Sequence, residues 1–122
     1  MNSRDWDAVA DLYAEDFVSI DRRRLGREPM RGGRAMADFY RSWAEVVPDI
    51  ELRLTLLTGD DEQAVVQYVG RGHAAEGGGE MEYLTINVVS VRDGRIRGLE
   101  RFEADDEALA LARFEELRSE RR

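Results

Sequence analysis

Between residues 50 and 103 the chain holds four strand-like runs in succession, and nothing else in the sequence constrains its fold as strongly. They are Ile50 to Thr58, Gln63 to Ala74, Met81 to Arg92 and Arg95 to Glu103, each rich in β-branched, aromatic or alternating apolar residues. Their separators are turn signals. Gly59-Asp60-Asp61 is a turn and Glu76-Gly77-Gly78-Gly79 a looser loop, while Asp93-Gly94 predicts a tight hairpin because both positions tolerate positive φ. The sheet is therefore expected to be antiparallel.

Helical patterns lie on either side of this run. From Arg4 to Asp16, Trp6, Val9, Ala10, Leu12, Tyr13 and Phe17 recur at helical spacing, with Asn2 or Ser3 as a cap and acidic residues in the first turn. Phe17 to Asp21 reads as a short strand, and Arg22 to Gly33, with Gly26, Pro29, Gly32 and Gly33, as a turn-rich segment. A second helix spans Arg34 to Val47, with Met36, Phe39, Tyr40, Trp43 and Val47 on one side, and Pro48 ends it. A third covers Asp105 to Arg118, with Leu109, Leu111, Phe114 and Leu117 among charged residues and Asp105 or Asp106 as its cap. Helices followed by consecutive strands and a closing helix define an α+β class.

Between Tyr83 and Val91 both alternating sets, Tyr83-Thr85-Asn87-Val89-Val91 and Leu84-Ile86-Val88-Ser90, are largely apolar. One face is expected to meet the helices and a pocket. The other is expected to be covered by a second subunit, so that the protein is a homodimer through its sheet.

At 122 residues, without a linker-like stretch, residues 1–122 are expected to form one domain, and 43% apolar content suffices for a core. A net charge of −8 argues against a nucleic-acid partner, which needs a concentrated basic face. The absence of Cys excludes disulfides, a thiolate nucleophile and Cys-based metal sites. No 18-residue apolar span appears, so no membrane partner and a cytoplasmic location are expected.

The stretch Leu12-Tyr13-Ala14-Glu15-Asp16-Phe17-Val18-Ser19-Ile20-Asp21 resembles the start of SnoaL-like and ketosteroid isomerase-like proteins of the nuclear transport factor 2-like superfamily. The resemblance continues through Met30-Arg31-Gly32-Gly33-Arg34 into Ala37-Asp38-Phe39-Tyr40-Arg41, and through Asp93-Gly94-Arg95-Ile96. It implies a cone-shaped fold in which a curved sheet wraps N-terminal helices and leaves a pocket at the wide end. The family's long first helix has almost no room before Arg4, so a short or missing first helix is expected, together with an extra C-terminal helix. Such a chain would be an excised domain, have a shortened start or borrow cover from a partner.

The resemblance also proposes site residues. Asp21 matches the general-base Asp of the isomerase-like pattern, where a desolvated carboxylate would be a better base; the alternative is a turn-initiating Asp before Arg22-Arg23-Arg24, paired with Arg in solvent. Tyr13 and Tyr40 sit where those isomerases place two hydrogen-bonded tyrosines. Asn87 falls near the oxyanion-hole position and offers an amide donor; the contrasted carboxyl roles of that isomerase are a standard illustration of environmental tuning. The family's principal oxyanion Tyr belongs to the absent helix, which disfavours steroid isomerisation. Arg101 stands where related cyclases and epoxide hydrolases carry an acid, and could pair with Asp21 or an anionic ligand, with Glu100 and Glu103 as other partners. His73, the only His, could face inward as an acid or base but cannot build a metal site alone. Phe17, Phe39, Trp43 and Tyr83 are candidates for the pocket wall.

Two functions follow. One is a cofactor-independent acid–base enzyme of isomerase, cyclase or hydrolase type acting on an apolar small molecule, with catalytic Asp21, Tyr40 and Asn87 and no metal. The other is a non-catalytic ligand-binding or dimerisation domain, as in SnoaL-like domains appended to bacterial regulators.

Overall fold

A computed structural model describes residues 5–24, 26, 28–75 and 77–120. Helix α1 (Trp6–Asp11), strands β1 (Tyr13–Asp21) and β2 (Met30–Arg31), and helix α2 (Gly33–Val46) come first. The strands β3 (Glu51–Gly59), β4 (Gln63–His73), β5 (Glu80–Arg92) and β6 (Arg95–Glu103) follow, and helix α3 (Glu107–Glu120) closes the chain. The strands form a six-stranded sheet in the order β2-β1-β6-β5-β4-β3, the α+β cone implied by the resemblance. Register shifts between β1 and β6, β3 and β4, and β5 and β6 mark bulges, which bend a sheet.

All neighbours pair antiparallel except β1 and β6, which run parallel. The sequence expectation of an antiparallel sheet holds where strands follow one another through turns. Strand β1 reaches the sheet from a distance and is free of that constraint. At the β5–β6 turn, Asp93 and Gly94 take φ values of 53° and 78°, the left-handed pair that a two-residue hairpin needs.

The first helix is shorter than its periodicity predicts. Asp5 caps it, accepting a hydrogen bond from the Ala8 N–H, and Tyr13 to Asp16 belong to β1; the expected caps Asn2 and Ser3 lie outside the described residues, as does Arg4. Residues i and i+4 share a face in both a helix and a strand, so the Tyr13 and Phe17 spacing did not distinguish them. Gly33 opens α2 against α1, where a Cβ would strike the Ala10 carbonyl. Met30 and Arg31, within the segment read as turns, pair with Ser19 and Val18, an edge contact that no local pattern announces.

The inner face of the sheet packs on α1 and α2 through Val9, Tyr13, Phe17, Met36, Ala37, Phe39, Tyr68, Val89 and Leu99. The outer face has its own core, where Ala110 and Phe114 of α3 cover Val65, Ile86, Val88 and Phe102. Helix α3 thus supplies, over β4 to β6, the cover that the sequence reading assigned to a second subunit. Its buried stripe is also displaced from the expected one: Leu109 is exposed and Ala110 takes the inward position. Glu100 fastens this layer, accepting from Arg113 Nε at 3.0 Å and from Arg22 Nε at 2.6 Å.

Candidate functional site

Directly opposed residues share a sheet face, so register alone assembles the site. Asp21 on β1 lies opposite Arg101 on β6, Arg101 opposite Asn87 on β5, and Asn87 opposite Val66 on β4, all on the inner face. One step along, Thr85 and Tyr68 form the neighbouring row. Tyr13 of β1 and Tyr40 of α2 come together through the packing of α2, and Tyr13 donates a hydrogen bond to the Tyr40 oxygen. Burial is the largest influence on each of Tyr13, Tyr40 and Tyr68 and raises all three above the ordinary phenol value, while Arg101 acts in the opposite sense on each. These tyrosines are neutral donors and acceptors at neutral pH.

Among the described residues Arg101 stands out for its burial. It is the largest of the fully buried side chains, at 1% exposure, and lies 5.3 Å from the Phe39 ring centroid. Its Nε and Nη1 make no hydrogen bond, and no carboxylate among the described residues forms an ion pair with it. Taking a guanidinium out of water costs several kcal/mol, whereas a desolvated cation–π contact returns about 2 kcal/mol, so Phe39 alone does not balance the burial. Neighbouring acids are committed elsewhere. Glu100 points to the outer face, and Glu103 accepts the Arg24 backbone N–H at 3.2 Å.

Asp21 is also buried, with a side chain 3% exposed, but Arg23 grips it from both sides: Nε to Oδ1 at 2.9 Å and Nη2 to Oδ2 at 2.6 Å. The Arg23 backbone N–H adds a third bond to Oδ1. Asp21 thus has the burial expected of a tuned base together with the Arg partner of the turn reading. A bidentate guanidinium stabilises the carboxylate and makes it a poorer proton acceptor. Asn87, 0% exposed, donates through Nδ2 to Thr85 Oγ1 at 2.9 Å, and its Oδ1 is unpartnered.

Four of the aromatic candidates converge as a wall, whereas Tyr13, like Asp21, Asn87 and Arg101, lines neither of the two spaces along it. Phe39, Tyr40, Trp43 and Tyr83, with Trp6, Ile50 and Leu52, enclose an inner cavity of about 20 Å³, room for roughly one water. Outside it, Phe39 and Trp43 join Met30, Ala35, Val46 and Met81, with Asp38 and Ser42 among them, in an open groove of about 420 Å³. Phe39 and Trp43 line both spaces, and the Tyr83 ring, 5.4 Å from that of Trp43, belongs to the inner one. The Tyr83 hydroxyl is buried without a partner, and Arg23 lies 5.9 Å from its ring centroid, so the Asp21–Arg23 pair adjoins the same wall.

Phe17 is core, edge to face with Tyr13 at 4.6 Å, and lines neither space. His73 does not join the site. It lies on the outer face, in register with Glu80, and its Nδ1 is 2.7 Å from Asp49 Oδ2 at an exposed strand end. Sequence reasoning missed Tyr68, Thr85 and Arg23; alternation along β4 and β5 placed the first two on the face of Asn87, but Arg23 lay in a run of three arginines with nothing to single it out. No cluster of metal-ligating side chains occurs among the described residues.

The model of the SnoaL-like domain family matches residues 1–99, which includes every strand of the sheet up to the middle of β6. The chain belongs to the SnoaL-like family. Helix α3 lies beyond the matched residues. Among solved structures, a candidate isomerase from Bacillus subtilis is 19% identical, with 81% of this chain and 74% of that one covered and a TM-score of 0.63. A candidate polyketide cyclase from Xanthomonas campestris is 22% identical over 87% of this chain and 83% of its own, with a TM-score of 0.64. SalBIII, an epoxide hydrolase/cyclase-like enzyme of pyran ring formation in salinomycin, is 15% identical over 81% and 78%, again with a TM-score of 0.64. At such identities the likeness is one of fold. No match is found among curated proteins.

Proposed function

We propose that this SnoaL-like domain binds an apolar small molecule that enters by the groove on α2 and reaches toward the buried polar row of Arg101 and Asn87. The observation that carries this reading is the continuous aromatic wall: Phe39 and Trp43 line both the open groove and the inner cavity, with Tyr40 at the deeper end. Apolar lining with a few polar groups at depth is the usual character of small-molecule sites. Reaching that row requires the inner cavity to widen, since it holds little more than a water.

Titration with 1-octanol, followed by tryptophan fluorescence and thermal unfolding, tests the reading. Saturable binding that weakens at least tenfold in Trp43→Ala is expected; no saturable response in the parent protein would refute it.

Acid–base turnover is a second reading, favoured by the placement of Asp21, Arg101 and Asn87 in one cross-strand row. Here Asp21 takes a proton once Arg23 releases it, while Tyr40 and Asn87 orient an oxygen. For any substrate found to turn over, Asp21→Asn should abolish the reaction and spare binding; unchanged turnover removes Asp21 from that role.

A homodimer is also proposed. Its support is the inner-face row Leu54 and Leu56 on edge strand β3, 56% and 66% exposed, which a second copy would cover.

A further inference from the structure

We propose that the bound molecule carries an anionic oxygen group, a carboxylate on an apolar body, and that Arg101 is the residue that receives it. The inference rests on the binding reading above and names the charge class of its ligand.

Three observations lead there. Arg101 is a permanently charged side chain at 1% exposure whose Nε and Nη1 donate to nothing. The acids nearest in register and sequence are engaged: Asp21 by Arg23, Glu100 by Arg22 and Arg113, and Glu103 by the Arg24 backbone. Its surroundings are otherwise neutral, with the Phe39 ring on one side and the protonated phenols of Tyr13, Tyr40 and Tyr68 around it.

A structural role would normally give a buried guanidinium carboxylate or carbonyl acceptors, because an unmatched cation destabilises the fold. Here the donors remain, and two of the residues around the guanidinium, Phe39 and Tyr40, also wall the inner cavity. A carboxylate arriving by that route would accept from Arg101, and its hydrocarbon part would replace solvent against Trp43 and Met81 in the groove. Arginine suits this role, since its planar fork presents several donors to a planar anion.

The test compares octanoate with 1-octanol, which share a body and differ in charge. Octanoate is expected to bind the parent protein at least tenfold more tightly, and to shift a slowly exchanging arginine Nε–H resonance that is absent from Arg101→Lys. Arg101→Met should abolish the tenfold preference for octanoate over octanol. Equal affinities in the parent protein, an unmoved Nε–H resonance, or octanoate selectivity that survives in Arg101→Met would overturn the inference and leave the binding reading standing. Failure of both molecules to bind would instead overturn that reading. Should Arg101→Met not fold, the resonance shift in the parent protein and the loss of selectivity in the uncharged Arg101→Gln decide the matter.

Discussion

Asp21 and Arg23 show how one contact sets what two side chains can do. Both Asp21 oxygens face the same guanidinium, so removing Arg23 leaves a buried carboxylate without its main partner. Arg23→Ala should therefore lower stability by about 2 to 3 kcal/mol in urea unfolding at neutral pH, more than a surface ion pair is worth. The exposed His73–Asp49 pair behaves differently. Asp49 raises the His73 pKa above 6.5, so this contribution is complete below the unfolded-state value and fades as pH rises through the raised one. The Asp49 pKa is lowered from 3.8 by its bonds from His73, so its contribution is present above that value and fades as pH falls through the lowered one. The pair operates between these limits. In an NMR titration, Asp49→Asn should bring His73 back toward 6.5, with little change in overall stability because both side chains are exposed. The resemblance proposed Asp21, Asn87 and Arg101, and the register of β1, β5 and β6 sets the three in one cross-strand row. The commitment of Asp21 to Arg23 was not legible, since any of three adjacent arginines could have supplied it.

Among the elements, α3 has the clearest energetic role. Phe114 is 3% exposed and packs on β4, β5 and β6, so Phe114→Ala should cost about 3 to 4 kcal/mol, read as a lower urea midpoint with an unchanged slope. Gly94 holds φ 78° in the β5–β6 hairpin, and Gly94→Ala should cost about 1 kcal/mol by the same measurement. The four consecutive strands and α2 were readable to within a residue or two because each has local punctuation: turn residues between strands, and Pro48 beyond α2. The α1–β1 boundary was not, because the spacing of Tyr13 and Phe17 fits either period and the choice was made by pairing of Tyr13 with Ile96 on β6.

At the scale of the whole molecule, α1 and α2 cover the inner face and α3 the outer face over β4 to β6, while the inner-face side chains Leu54 and Leu56 of edge strand β3 lie outside that cover. If a second copy covers Leu54 and Leu56, sedimentation velocity should show a dimer and Leu56→Arg should return a monomer; a monomeric parent protein would refute the pairing. Local periodicity, turn chemistry and composition determined the α+β class, the hairpins, the closing helix and the polar and aromatic side chains available for a site. Those signals act over a few residues, and so they are written in consecutive sequence. Only the tertiary structure decided that β1 runs parallel to β6, that α3 covers the outer face, and that Arg101 sits buried between Asp21 and Asn87 with donors unused. Each of these depends on pairing or packing between segments distant in sequence, where many pairings satisfy the local pattern and packing of the complete sheet selects one.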